Sequence, residues 1–175
     1  MIMKKQIMMF VALLTMAAFG TNLSAQTPEK KASVVKTVDT KVVGTDVLSV
    51  IAKNYEGKVV VIDFWATWCG PCRQAMKLID EIKPELQKKG VVFVYITGES
   101  SPLEKWQDMI ANIEGEHYRL TNKQWGELCN KLGLLGIPSY MILNKDGSTA
   151  YDNFKTGGYP GGEVLKNQAE VALTK

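Results

Sequence analysis

The chain has few of the side chains that usually bind transition metals. Its 175 residues include three cysteines and one histidine, His117. A structural zinc site takes four such ligands, and His117 does not stand at ligand spacing from any cysteine. We therefore expect no bound metal ion.

A strong excess of charge is also missing. The sequence holds 21 basic and 18 acidic residues, which gives a formal net charge of +3 at pH 7. Two of the basic residues, Lys4 and Lys5, belong to an N-terminal segment, and the 19 that remain almost balance the acidic side chains. This balance gives no support to a nucleic-acid partner.

Long hydrophobic runs are lacking except near the N-terminus. Residues 7–19 are apolar apart from Thr15, and this run of thirteen residues is too short to span a bilayer comfortably. The two N-terminal lysines precede it, and Leu23-Ser24-Ala25 follows it with small residues suited to cleavage. The layout predicts a secretory signal peptide over residues 1–25. An uncleaved N-terminal membrane anchor is the alternative, because leucine three places before the cut is not ideal.

The remainder of the chain fits one domain. A chain of this length has room for one sizeable core, and no repeat or low-complexity segment divides it. Residues 26–43 are predicted to form a polar linker and then one or two exposed strands, because valines there are interleaved with Lys, Thr and Asp. Residues 44–175 are predicted to form the domain itself.

One stretch carries most of the chemistry. Residues 59–62 are β-branched, which is typical of a strand buried on both faces, and Cys69-Gly70-Pro71-Cys72 follows shortly after them. Apolar residues then recur at the three- and four-residue steps of a helix: Met76, Ile79, Ile82 and Leu86. The cysteine pair therefore lies at a helix start, where free N–H groups and the helix dipole favour a thiolate over a thiol at Cys69.

This stretch also carries a family resemblance. The sequence Asp-Phe-Trp-Ala-Thr-Trp-Cys-Gly-Pro-Cys, from Asp63 to Cys72, is similar to the active-site segment of thioredoxins nearly residue for residue. Together with the predicted export signal, it resembles the exported TlpA/ResA-like branch of the thioredoxin-like superfamily. The likeness is dense over residues 57–73 and returns over residues 133–147, and elsewhere only the order of elements agrees.

The resemblance implies an α/β fold, the thioredoxin fold, with a mixed central β-sheet flanked by helices. Two additions to that fold are expected. The strands before residue 44 would form an N-terminal β extension. Residues 99–132 would insert an extra helix and strand before the strand that begins with a cis proline, Pro138, as in TlpA/ResA-like proteins rather than plain thioredoxin.

Besides a redox role, the cysteine pair could be a structural disulfide, half a zinc site or a copper site of the metallochaperone type. A structural disulfide across two residues closes a very small loop and stabilises little, and half a zinc site lacks further ligands. We interpret Cys69 and Cys72 as a redox-active disulfide. Cys69, first in the turn and expected to be exposed, is the predicted nucleophile, and the more shielded Cys72 is the predicted resolving thiol. Cys129, on an amphipathic helix, is interpreted as a buried apolar residue.

Asp63 interrupts a strand that is otherwise apolar, so its pKa should be raised. The resemblance implies a catalytic role, in which the carboxyl assists proton transfer at Cys72. The alternative is a strand-end aspartate that pairs with Lys58 or faces water. Thioredoxins often place a lysine on the neighbouring strand, whereas residues 91–97 here have none, and Tyr95 is the only candidate with a polar head.

The segment Ile137-Pro138 resembles the cis-proline loop that faces the cysteine pair in this family. A cis proline exposes the backbone groups of the preceding residue, which can pair with an extended client segment. The resemblance therefore implies a client-binding groove, with Gly157-Gly158 as a further lining. Its predicted substrate-binding residues are Trp68, Gly70, Pro71, Ile137 and Pro138.

The resemblance implies a periplasmic thiol–disulfide oxidoreductase. Gly-Pro between the cysteines is similar to reducing thioredoxins, so a reductant is expected, with a disulfide oxidase or isomerase as the alternative. A module that binds clients such as apocytochrome without turnover is a third interpretation. The expected partners are cysteine-containing protein clients and a membrane or periplasmic electron donor. No organic cofactor is implied, and a monomer is expected.

Overall fold

The computed structural model describes residues 33–175. The predicted signal peptide, residues 1–25, and the predicted linker up to residue 32 lie outside the described residues. Within the described range the chain forms six strands and five helices. In chain order they are β1 (Ser33–Lys36), α1 (Asp46–Lys53), β2 (Val60–Phe64), α2 (Gly70–Lys88), β3 (Val92–Gly98), α3 (Leu103–Ile110), β4 (Gly115–Leu120), α4 (Asn122–Leu132), β5 (Ser139–Leu143), β6 (Thr149–Asp152) and α5 (Gly162–Leu173).

The strands form one mixed sheet in the order β1-β4-β3-β2-β5-β6. Strands β1, β4, β3 and β2 pair in parallel, whereas β5 pairs antiparallel with β2 and β6 antiparallel with β5. All five residues of β2 are buried, because helices cover both faces of the sheet at this strand. The mixed sheet flanked by helices that the sequence predicts is confirmed.

The hydrophobic core lies in two layers, one on each face of the sheet. On one face, called here the α2 face, the strands pack against α2, α3 and α5. On the opposite face they pack against α1 and α4. Successive residues of β2 alternate between the faces, so Val61 belongs to the α2 face and Ile62 to the other. Asp63, the next residue, is thereby directed to the α2 face.

The two expected additions to the thioredoxin fold lie side by side at one edge of the sheet. Helix α3 and strand β4 form the insertion, and β1 pairs with the outer side of β4. Only one N-terminal strand forms within the described part of residues 26–43. Residues 39–42 make a turn instead, and the Gln124 side chain donates to the carbonyls at both ends of that turn, over 2.9 Å in each case.

The sequence pattern predicts a strand over residues 136–143 and a helix from residue 103 to Ile113, and both elements are shorter than that. Strand β5 begins at Ser139 rather than at residue 136, because Pro138 has no N–H to donate to a sheet ladder. The helical pattern of α3 extends to Ile113, but the helix ends at Ile110. The N–H groups of Asn112 and Ile113 bond to carbonyls three residues back, which tightens the chain on its way into β4.

Gly115, the first residue of β4, is a point of close approach between β4 and β3. Its φ is +140°, and a Cβ built on it would lie 2.7 Å from the ring of Tyr95 and 2.9 Å from the carbonyl oxygen of Phe93. Real Cβ atoms do not make contacts this short. A side chain at this position would therefore displace either the Tyr95 ring or the backbone of β3.

We expect Gly115→Ala to destabilise the protein by about 1–3 kcal/mol, the usual cost of overpacking a core. Gly126→Ala is the matched control, because Gly126 is exposed within α4 and a Cβ there meets no atom within 4 Å. The control should gain about 0.5–1 kcal/mol from helix propensity. Urea unfolding of the oxidised protein measures both changes, and equal effects of the two substitutions would contradict the close approach at Gly115.

Candidate active site

Cys69 and Cys72 form a disulfide at the start of α2, with their Cα atoms 5.3 Å apart. Cys69 is the residue that caps the helix, and its Sγ accepts a hydrogen bond from the Cys72 N–H over 3.2 Å. Pro71 lies in the first turn, where its missing N–H leaves no helical bond unmade. A negative charge on Cys69 would therefore meet a free N–H and the positive end of the helix dipole.

The prediction that Cys69 is exposed is wrong for this disulfide form. Only 4% of Cys69 is accessible to solvent, and Cys72 is fully buried. The Cys69 sulfur is bonded to Cys72 and directed at the helix terminus, so it presents little surface. The exposed residues of the segment are Trp68, at 59%, and Pro71.

The loop before Cys69 is held by hydrogen bonds to the end of β3 and to α2. The Thr67 N–H donates to the buried hydroxyl of Ser101 over 3.0 Å, and that hydroxyl also bonds to Thr97 over 2.7 Å. Arg73 donates to the Thr67 carbonyl over 3.0 Å. Sequence reasoning missed Ser101 and Arg73, because these bonds join residues whose proximity depends on the folded sheet.

Trp68 stands beside the disulfide without being part of the core. Its indole N–H donates to the Ser100 hydroxyl over 3.3 Å, which orients the ring while most of the side chain stays in solvent. A tryptophan that served only to pack the core would be buried, whereas this one is exposed. The ring is therefore accessible from solvent.

The predicted cis-proline loop lies at the same end of the sheet as the disulfide. Ser139, the first residue of β5, pairs with Phe64, the last residue of β2, so the segments before and after them are neighbours. The Ile137–Pro138 peptide bond is cis, as the resemblance implies. Among the described residues, no backbone partner bonds to the N–H or the carbonyl of Ile137.

Bonds from the β6–α5 connection fix this loop. The Pro138 carbonyl accepts from the Gly158 N–H over 2.7 Å. Asn153 accepts from the Tyr140 N–H over 2.7 Å and donates to the Gly158 carbonyl over 2.8 Å. Asn153 is a residue that sequence reasoning missed.

The client-binding roles of the five predicted groove residues stay predictions, since geometry alone does not test them.

Asp63 is buried, with 2% of its surface exposed, on the α2 face of β2. Neither carboxyl oxygen has a hydrogen-bond partner among the described residues. Burial raises the pKa of this carboxyl well above its usual range, and the positive charge of Lys83 acts in the opposite direction. The alternative in which Asp63 pairs with Lys58 or faces water is therefore wrong, because the strand end lies beneath α2.

Lys83 is a further residue of the site region that sequence reasoning missed. It lies on the buried face of α2, and only 3% of it is exposed. Its ammonium group bonds to Asp80 over 2.6 Å and to the Glu114 carbonyl over 3.3 Å. One signal in the sequence could have revealed it: Lys83 falls between Ile79 and Leu86 at the spacing of the apolar face.

Cys129 does not belong to this site. It is a free, half-buried cysteine on α4, on the face of the sheet away from α2. Burial raises the pKa of its thiol to about 11. The sequence predicts that Cys129 is buried, whereas its side chain is only partly buried. The raised pKa nevertheless leaves the thiol almost entirely protonated near neutral pH.

Within residues 33–175, no group of three or more His, Cys, Asp or Glu side chains is arranged to hold a metal ion. None of the helices described over the same range has the length and apolar character that crossing a bilayer requires.

The mixed sheet with helices on both faces and the disulfide at the start of α2 are together the features of the thioredoxin fold. Residues 57–149, more than half of the chain, match a thioredoxin-like family, and the chain belongs to that family.

One relative is named as the thiol-disulfide oxidoreductase ResA of Bacillus thuringiensis subsp. konkukian (strain 97-27). It is 26% identical over 126 residues, which cover 70% of this chain and 66% of the relative, just under two thirds of its length.

Solved structures show the same fold at lower identity. The thioredoxin domain of a thiol-disulfide oxidoreductase from Bacteroides vulgatus superposes with a TM-score of 0.58 at 17% identity, covering 69% of this chain and 83% of that one. A secreted thiol-disulfide isomerase from Corynebacterium glutamicum gives a TM-score of 0.57 at 19% identity, covering 70% of this chain and 75% of that one. These two likenesses concern the fold alone.

The site predicts an order of thiol reactivity in the reduced protein. We expect iodoacetamide at neutral pH to alkylate Cys69 at least about tenfold faster than Cys129, whose raised pKa leaves little thiolate. Cys72 should also react slowly, because it is buried one turn into α2. Mass spectrometry of timed samples measures all three rates, and Cys129→Ala is the control that should leave Cys69 labelling unchanged. Equal labelling of the three thiols would remove the assignment of Cys69 as nucleophile.

Asp63→Asn is expected to increase stability near neutral pH. Because burial raises the folded-state pKa above the unfolded value of about 3.9, the folded protein holds this proton more tightly. The resulting stabilisation is complete below about pH 3.9 and is lost as pH rises through the folded-state pKa. Asparagine does not ionise, so the advantage of the variant in free energy of unfolding should grow with pH.

Urea titrations of the oxidised wild type and variant at about pH 4, 6 and 8 test this. A difference in free energy that stays constant across these pH values would show that Asp63 ionises as freely in the fold as in the unfolded chain.

Proposed function

We propose that this protein is a periplasmic thiol–disulfide oxidoreductase that reduces disulfides in protein clients. The observation that carries the proposal is the redox pair itself, with the Cys69 sulfur capping α2 and accepting the Cys72 N–H. That bond and the helix terminus stabilise a thiolate on Cys69, which is the nucleophile that disulfide exchange requires. Membership of the thioredoxin-like family and the name of the ResA relative support the same activity.

The reaction proceeds in two exchanges. The Cys69 thiolate attacks one sulfur of the client disulfide, the client S–S bond breaks, and the other client sulfur leaves as a thiol after taking up a proton. Cys72 then attacks Cys69 Sγ, which breaks the mixed disulfide and releases the second client sulfur. The proton of Cys72 passes to the Asp63 carboxylate. Two electrons have moved to the client, and the chain is left as the Cys69–Cys72 disulfide.

The client segment lies across the end of the sheet. The unpaired backbone groups of Ile137 offer one donor and one acceptor to an extended chain, in the manner of an added strand. The exposed ring of Trp68 forms an apolar wall beside the disulfide, and Gly70 and Pro71 lie between the two cysteines. The clients are therefore proteins whose cysteines lie in extended, accessible segments.

The direction of transfer and the location rest on sequence features. Gly70-Pro71 between the cysteines is similar to reducing members of the family. The basic and apolar N-terminal segment supports export by a signal peptide, so the reductant works in the periplasm and takes its electrons from a membrane or periplasmic donor. We propose that it acts as a monomer.

The decisive experiment combines turnover with trapping. Wild type and the control Cys129→Ala should reduce insulin with dithiothreitol as the electron source, at rates within about twofold of each other. Cys72→Ser should lose turnover and accumulate mixed disulfides through Cys69.

A redox titration against glutathione and dithiothreitol then fixes the direction. A potential nearer to about −270 mV than to about −120 mV supports a reductant. A value at the oxidising end would instead assign an oxidase. Client binding without any insulin reduction would assign a redox-sensitive binding module.

A further inference from the structure

The chain enters the redox pair through a tight turn. The Cys69 N–H donates to the Ala66 carbonyl over 3.0 Å, and the two residues between them form the centre of the turn. The first of these, Thr67, is fully buried. Its N–H is shielded from water and therefore needs a partner within the protein. The Ser101 hydroxyl is that partner, over 3.0 Å.

Ser101 is itself held from two sides. It is fully buried, and its hydroxyl bonds over 2.7 Å to the hydroxyl of Thr97, near the end of β3. Its carbonyl accepts over 2.9 Å from Nε of Arg119, which lies on the inserted strand β4. Ser101 therefore connects the inserted part of the fold to the turn that precedes Cys69.

A second bond holds the same turn from the surface. The Thr67 carbonyl accepts from Arg73 over 3.0 Å, and Arg73 is an exposed residue of α2. An exposed hydrogen bond competes with water, whereas a bond in a buried region of low dielectric is stronger and costs more to lose. The hydroxyl of Ser101 is therefore the main restraint on Thr67.

This restraint matters most in the reduced protein. In the oxidised form the Cys69–Cys72 bond ties the end of the turn to α2. Reduction removes that covalent link, and the hydrogen bonds of Thr67 then hold the turn against the helix. In the disulfide form the Cys72 N–H lies 3.2 Å from the Cys69 sulfur. A thiolate on Cys69 can accept this bond only while the turn stays in place.

We propose that Ser101 is a positioning residue for Cys69: its hydroxyl fixes the turn so that the thiolate of the reduced protein stays aligned with the first N–H groups of α2. This inference rests on the proposed function, in which Cys69 is the nucleophile. It also gives the insertion a task, because β4 supplies the arginine that binds the Ser101 carbonyl. The reactivity of Cys69 then depends on residues that lie outside the redox pair.

A neutral substitution at Ser101 leaves the charges around the turn and the redox pair unchanged. The charged and titratable groups there are Cys72 and Arg73 on α2, Asp63 on β2, Glu99 after β3 and Arg119 on β4. Replacing the hydroxyl alters none of them. A change in the titration of Cys69 would therefore report a change in geometry.

The test compares Ser101→Ala with Thr97→Val. Both remove one hydroxyl of the same buried pair, so both should lower stability towards urea, but only Ser101→Ala removes the partner of the Thr67 N–H. Mass spectrometry of the reduced proteins follows alkylation of Cys69 by iodoacetamide as a function of pH. We expect the Cys69 midpoint to rise by about 1 pH unit in Ser101→Ala and to stay within about 0.3 units of wild type in Thr97→Val.

Two results would overturn the inference. One is a rise of less than about 0.5 units in folded Ser101→Ala, which would show that the hydroxyl serves stability alone. The other is an equal rise in Thr97→Val, which would show that any loss of stability loosens the turn. If Ser101→Ala does not fold, Ser101→Cys replaces it, because a thiol is similar in size and a weak acceptor. The same limit of about 0.5 units then applies.

The alkylation measurement separates this inference from the proposed function, because it needs no turnover. If the wild type reduces no insulin, the proposed function fails, and the midpoints still show whether Ser101 positions Cys69. In an active protein, insulin reduction at neutral pH should fall at least about threefold in Ser101→Ala, because less of Cys69 is then thiolate. Thr97→Val should stay within about twofold of wild type.

Discussion

Strand β2 pairs with β3 on one side and with β5 on the other, and the whole site follows from these two registers. The pairing of Phe64 with Ser139 brings the cis-proline loop to the end of the sheet from which the chain enters α2. The same registers set Asp63 between two tyrosines. A shift of one residue in either pairing would turn Asp63 to the opposite face, away from the cysteines.

The sequence predicts the central part of this arrangement well. The β-branched run, the cysteine pair and the apolar helical spacing are local patterns, and the elements built on them appear where expected. The cis bond before Pro138 agrees with the family resemblance, which periodicity alone would not supply. The mixed sheet and the insertion are confirmed for the same reason.

The parts that could not be predicted depend on contacts between distant segments. Ser101 holds Thr67, and Asn153 holds the cis-proline loop, through side chains that look ordinary in sequence. The absence of a lysine on β3 suggested that Asp63 had no cation, whereas Lys83 supplies one from a helix. Cys69 was expected to be exposed because it opens a turn, but the disulfide directs its sulfur inward.

The buried sulfur of Cys69 has a consequence for how the disulfide of the oxidised protein is reduced again. A small thiol in solution reaches a disulfide by random collision, and here it meets almost no sulfur surface. Under the proposed function, a protein electron donor that binds across Trp68 and the cis-proline loop would present its thiolate directly to the disulfide. Such a donor therefore has an advantage over small thiols, which reduce the pair at a useful rate only in large excess, as dithiothreitol does in the insulin assay. Molecular recognition as well as redox potential then determines the choice of electron donor.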